Sequence, residues 1–232
     1  MLPPVHRIVL TGGPCGGKST ALALVSKRIA AFGFDVYCVP EAATIVLRGG
    51  VQIKGMPAPQ IAAFQTHLLN VILALEDSFC AIAKTTGRPS VVFCDRGAMD
   101  GSAYVSTETW SAILSANQWT VEHLRDRRYD AVIHLVTAAD GAEHFYSAET
   151  NAVRSESAQR ARELDALVLQ AWRGHPTLHV IDNSTDFDGK IERIIGAVCK
   201  SLGISFTESR PPGRGNSLLA KVPLPGDKPR ES

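Results

Sequence analysis

Five short runs along the chain are apolar through most of their length: Val5–Leu10, Asp35–Val39, Ser90–Cys94, Ala131–Val136 and Leu178–Ile181. This is the pattern of strands covered on both faces, as in a parallel sheet held between helical layers. Between the runs, apolar positions recur every three or four residues, the spacing of one helical face. Ser19–Ala31 carries Leu22, Val25 and Ile29, and Gln60–Lys84 carries Ile61, Phe64, Leu68, Ile72, Leu75, Phe79 and Ile82. Pro57 and Pro59 stand before that second segment and Gly87 after it, as start and stop signals. A further helix around Leu164–Ala171 ends near Gly174. The last one starts at Asp188, buries Ile191, Ile194, Ile195, Val198 and Leu202, and has Lys200 in its final turn before Gly203. Acid at its start and base at its end complement the helix dipole. Strands alternating with helices predict an α/β fold: a three-layer, doubly wound parallel sheet of about five strands, with ligands at the carboxyl ends of the strands.

The junction between the first strand and the first helix carries the strongest motif. Gly12-Gly13-Pro14-Cys15-Gly16-Gly17-Lys18-Ser19, followed by Thr20, fits G-x-x-x-x-G-K-[ST]. The glycines let backbone N–H groups turn inward around phosphate oxygens, Lys18 reaches the β and γ phosphates, and the Ser19 hydroxyl can ligate Mg²⁺. The expected cofactors are therefore ATP or GTP with Mg²⁺. The expected fold narrows to the P-loop NTPase or kinase-like kind.

Composition changes this picture little. With 232 residues, 45% hydrophobic and 20% charged, the chain has enough material for one substantial core. Lys and Arg number 24 against 23 Asp and Glu, so no global charge recommends a nucleic acid or an anionic membrane as partner. The five cysteines are odd in number and widely spaced, which reads as reduced thiols in a cytoplasmic protein. The N-terminus runs straight into the first strand, and no apolar run approaches the ~18 residues of a membrane span, so neither a leader nor a transmembrane segment is expected. The seven histidines have no zinc-like spacing. From Thr207 the periodicity gives way to Pro, Gly and Arg. The expected organisation is a nucleotide-binding domain over 1–204 and a linker, or the start of a truncated second domain, over 205–232.

Candidate chemistry follows the strands. Glu41, just past the second strand, can accept a proton from an attacking hydroxyl or water; the plainer reading is an acid at a helix start. Asp95 closes the third strand as V-V-F-C-D, the form of a Walker B acid that holds Mg²⁺ near Ser19. Arg96 beside it can bind a substrate or phosphate anion. Arg154, in a polar stretch after the fourth strand, can close over the phosphates, or it is a solvated residue paired with an acid. Asn183, after the fifth, can bond a purine edge or simply make a turn.

The strings T-G-G-P-C-G-G-K-S-T, V-P-E-A-A-T, C-D-R-G-A-M-D, D-G-A-E-H-F-Y, R-A-R-E-L-D and G-H-P-T-L-H-V-I-D-N-S-T-D-F-D together resemble the TRPL translocation defect protein family. The likeness runs from about Arg7 to Ile204. That family shares its P-loop domain type with bacterial nicotinamide riboside kinase. The resemblance implies an AAA-like domain that binds GTP and phospholipid and serves membrane-protein trafficking. It maps the phosphate loop to Gly12–Thr20, the Walker B acid to Asp95 and a lid arginine to Arg154. It also implies a second domain, of which Ser217–Pro225 looks like the opening strand, so phospholipid or trafficking partners would depend on a part this sequence lacks.

A wider likeness points to nucleoside and nucleotide kinases, which combine a Glu after the second strand, Asp-Arg after the third and an arginine lid. Three functions stay open: an NTPase or nucleotide switch in trafficking or signalling, a small-molecule kinase with Glu41 as base, and a nucleotide-binding module without turnover. In the kinase case Lys18, Mg²⁺ and Arg154 stabilise the transferred phosphoryl group while Arg96 holds the acceptor.

Overall fold

The central strand β1, Val5–Thr11, is flanked by β3 (Ser90–Asp95) on one side and β4 (Ala131–Leu135) on the other. Strands β2 (Asp35–Val39) and β5 (Leu178–Ile181) complete a five-stranded sheet in the order β2-β3-β1-β4-β5, every neighbouring pair parallel. This is the three-layer α/β sheet expected from the apolar runs. The computed structural model describes residues 3–142 and 158–206; Arg154 and the segment from Thr207 lie outside the described residues.

Alternation within each apolar run divides the core between the two faces of the sheet. Ile8 and Leu10 of β1, Val91 and Phe93 of β3, and Ile133 and Leu135 of β4 pack with helices α1 (Lys18–Ala31) and α6 (Phe187–Ser201). Val9, Val92, Cys94 and Val132 point the other way, among residues of α3 (Ala58–Thr85), α4 (Thr107–Ala116) and α5 (Ala158–Trp172). Full burial of one Ile or Leu side chain contributes roughly 1.5–3 kcal/mol, so strands covered twice must be apolar at successive positions. A short α2, Ala42–Arg48, follows β2. Asp100–Tyr104 forms a 3₁₀ turn and Glu122–Asp126 a π turn.

Small differences from the sequence reading have local causes. Helix α6 starts at Phe187, with Asp186 as its cap accepting the Gly189 N–H at 2.9 Å and Asp188 in its first turn. Helix α3 starts two residues early because proline is tolerated in a first helical turn, where its missing N–H has no partner to lose. All five cysteines are free thiols, with Cys80, Cys94 and Cys199 buried.

One buried ionic cluster ties α3 to the strand ends. The Glu76 carboxylate of α3 is fully buried; Arg128 donates to it at 2.5 Å and Tyr129 at 2.9 Å, and Arg7 of β1 lies 3.6 Å away. The Tyr129 hydroxyl in turn accepts the Ala98 N–H at 2.8 Å, just beyond β3. Burial pushes the Glu76 carboxyl above its ordinary range, and the Arg128 and Arg7 guanidiniums pull it back. Removing the buried carboxylate leaves Arg7 and Arg128 with the exposed Asp77 as their acid partner. Glu76→Gln should therefore lower stability by about 3–5 kcal/mol in urea denaturation, the range for breaking a buried pair.

Candidate functional site

The loop after β1 takes its shape from positions where a side chain cannot fit. Gly12 has φ of +131°, and a Cβ there would lie 2.0 Å from the Leu135 carbonyl oxygen. Gly17, at φ of +79°, caps α1 with no side-chain acceptor, and the first turn of α1 holds no acidic residue. The first N–H groups of α1 are thus left to an anion. Lys18 is 8% exposed, its Nζ donating to the Gly12 and Gly13 carbonyls at 2.9 and 2.6 Å. Ser19 and Thr20 lie exposed in the helical first turn. Pro14, Cys15 and Gly16 form the rest of the curve, Cys15 itself at φ of +54°. Two contacts brace the loop from beneath: Gly13 N–H donates to Asp165 of α5 at 2.6 Å, and the Thr137 hydroxyl donates to the Pro14 carbonyl.

Register sets the next residue. Leu10, two residues before the loop, pairs with Asp95, which brings the end of β3 beside the phosphate loop. Burial raises the Asp95 carboxyl above its ordinary range, opposed by Lys18, reinforced by Glu41, opposed by Arg96 and reinforced by Asp100. These five side chains therefore share one electrostatic environment. Arg96 adopts φ of +68°, rare for a residue with a side chain. Its N–H donates to Leu10 O at 3.0 Å. Its guanidinium donates to Glu41 at 2.7 Å, to the Gly12 carbonyl at 3.3 Å and to Asp100 at 3.3 Å. Burial disfavours the Arg96 charge, but Tyr104, Asp100 and Glu41 outweigh it and hold the group more firmly protonated than usual. Glu41 occupies the N-cap position of α2, where the Thr44 hydroxyl donates to its other oxygen.

Asp100 is a buried hub that spacing alone did not single out as functional. It accepts from Thr11 of β1 at 2.8 Å and from Trp172 of α5 at 2.6 Å, besides Arg96. Trp172 thus does more than pack.

Beside Pro14 and the Glu41–Arg96 pair opens a cavity of about 520 Å³. Its far wall is α3, through Phe64, Gln65, Leu68, Ile72 and Leu75. Phe64, Leu68, Ile72 and Leu75 belong to the helical stripe read from the sequence, so part of that stripe is the wall of this pocket. The polar signal within it is Gln65, one residue after Phe64 and three before Leu68.

Asn183 lies elsewhere, past β5. Its side-chain nitrogen donates to the carbonyls of Thr137 and Asp140 at 2.8 and 2.6 Å, and its oxygen accepts from Lys190 at 2.7 Å. Those bonds join the loops after β4 and β5. Lys190 also donates to Val136 O at 2.9 Å; burial, with Arg193 adding to it, brings the ammonium down from 10.5 to about 8. Arg162 of α5 donates to the Ala139 carbonyl at 2.7 Å, so among the described residues α5 also supplies a cation at the β4 loop.

Comparison with known proteins places this geometry. A family profile for the AAA domain matches residues 7–190. The chain belongs to that family. No curated protein matches it. Among solved structures, it resembles the NadR protein in complex with NR, with a TM-score of 0.60 and 14% identity over 88% of this chain and 53% of that one. It also resembles thymidylate kinase from Ehrlichia chaffeensis, with a TM-score of 0.54 and 16% identity over 86% of this chain and 100% of that one. The chain spans about half the length of that NadR chain. At such identities the likeness concerns the fold, a P-loop kinase-like one. The comparisons do not carry the trafficking role or the phospholipid partner that the sequence resemblance implied.

Two outcomes follow from the geometry. Lys18→Ala should abolish most nucleoside triphosphate binding in calorimetry, since it deletes the one loop side chain whose charge can face the β and γ phosphates. For Lys190, the folded chain releases between about pH 8 and 10.5 a proton that the unfolded chain still holds. Stability from this group therefore rises with pH across that window. Tm of the wild type minus that of Lys190→Met should grow from pH 8 to 10.

Proposed function

We propose that this P-loop protein is a small-molecule kinase, which transfers the γ-phosphoryl group of ATP or GTP to a hydroxyl of an acceptor bound in the cavity against α3. The observation that carries the reading is the position of the Glu41–Arg96 pair, between the phosphate loop and a pocket of about 520 Å³. Simple hydrolysis needs room for one water; this volume lies in the range of small-molecule sites.

In this reading the triphosphate lies along Gly12–Thr20, with Lys18 facing its β and γ phosphates. Ser19 and Asp95 would hold Mg²⁺. Among the described residues no group of three or more His, Cys, Asp or Glu side chains forms a metal site of its own. Such an ion would be held by one or two protein oxygens, the phosphates and water. When bound, the ion neutralises charge on the β and γ phosphates. Glu41 takes the proton from the acceptor hydroxyl, whose oxygen attacks the γ phosphorus. The bond from that phosphorus to the β–γ bridging oxygen breaks, and the nucleoside diphosphate leaves. Arg96 orients Glu41 and, through the Gly12 carbonyl, keeps the base in register with the phosphate loop. Arg154 is the proposed lid cation, acting on the transferring charge. Asn183 serves this site by joining the loops after β4 and β5, which would flank the base.

The same parts serve an NTPase switch in trafficking or signalling when water replaces the acceptor. The cavity favours transfer.

Diphosphate release should accelerate severalfold with a subset of hydroxyl-bearing acceptors, a panel that includes NR, the ligand of the NadR structure. Glu41→Gln should then lose about 10²–10⁴-fold in kcat with nucleotide affinity near wild type, the usual worth of a positioned base. Equal release with and without every acceptor would leave hydrolysis as the function.

A further inference from the structure

We propose that Gln65 is the specificity residue of this cavity, and that it selects acceptors carrying a planar ring with adjacent hydrogen-bond donor and acceptor groups, as in a nucleobase or a ring carboxamide. The inference rests on the reading of the cavity as an acceptor site. Gln65 is 6% exposed, lies on the buried face of α3 and lines the cavity, yet its amide makes no hydrogen bond to the described residues. With no protein partner, the donor pair and the acceptor of this amide are left for a ligand in the cavity that it lines.

The surroundings give the unused amide a direction. The other buried polar side chains of the wall are already engaged: Glu76 by Arg128 and Tyr129, Asp100 by Thr11 and Trp172. Apolar Leu68, Ile72 and Leu75 continue the wall along α3, and Phe64 and Tyr104 add aromatic rings to the lining. Gly101 makes room for the amide: a Cβ there would stand 2.8 Å from Gln65 Oε1. A side-chain amide offers one acceptor and a donor pair in a single plane. It pairs bidentately with a planar edge that presents the complement, as glutamine does with adenine. Aromatic walls favour a flat ring. Glu41 and Arg96, which also line the cavity, would then meet the hydroxyl-bearing part of the same molecule.

The test is calorimetry on the full chain with adenosine, cytidine, uridine, guanosine and a pyridine-carboxamide riboside, and with ribose as the control lacking the ring. At least one ring-bearing probe should bind tenfold or more tighter than ribose. Gln65→Leu and Gly101→Ala should each weaken that probe by roughly 10–100-fold, the worth of a bidentate pair, and leave ribose unchanged. Because no protein hydrogen bond is lost, Gln65→Leu without ligand should melt at or above the wild-type Tm. A Tm several degrees lower, an unchanged affinity in Gln65→Leu, or no probe tighter than ribose would overturn the proposal. Phosphoryl transfer, followed separately, keeps the two readings apart. Ring-selective binding without transfer sinks the kinase and leaves Gln65 standing. Transfer with unchanged affinity in Gln65→Leu does the reverse.

Discussion

The guanidinium of Arg96 is the point on which the site depends. It reaches the Gly12 carbonyl after β1, Glu41 after β2 and Asp100 after β3, so one side chain joins three strand ends. The backbone turns at Arg96 in a left-handed conformation, and the bond from its N–H to Leu10 O holds it there. Strain of this kind persists when the surrounding structure over-determines it, and it clusters at functional sites. Asp100 completes the arrangement by carrying the link on to Thr11 and Trp172.

Sheet order explains why those ends meet. With β1 between β3 and β4, the loops that leave β1 and its neighbours diverge around one crevice. The phosphate loop fills its centre. Asp95, Arg96 and Glu41 occupy the β3–β2 side, next to the pocket walled by α3. Asp165 and Asn183 occupy the β4–β5 side, where they brace the loop and its neighbours. The site therefore has two halves of different character: one built around a small-molecule cavity, the other around bonds between loops.

The sheet was legible because a strand buried on both faces must be apolar at successive positions, and each such run is short and bounded. The phosphate loop was legible because its backbone demands glycine at Gly12, where any Cβ would strike Leu135 O. Glu41, Asp95 and Arg96 could be marked as strand-end residues, since ligands gather there in such sheets. Their mutual bonding could not, because it depends on register and on the turn at Arg96. Gln65 carried a faint signal, a polar residue within an apolar stripe, that meant nothing until α3 was seen to wall a cavity.

By itself, then, the sequence determined the layers, the strands and the anion-binding loop, because these follow from local spacing, alternation and steric exclusion at glycine. Folding in three dimensions is what makes Glu41, Arg96 and Asp100 one bonded group, turns Phe64, Leu68, Ile72 and Leu75 of the α3 stripe to a pocket, and engages Asn183 within the protein. Those facts arise from contacts between residues far apart in the chain, 55 positions for Arg96 and Glu41 and 84 for Arg96 and Gly12, and no local pattern encodes such distances.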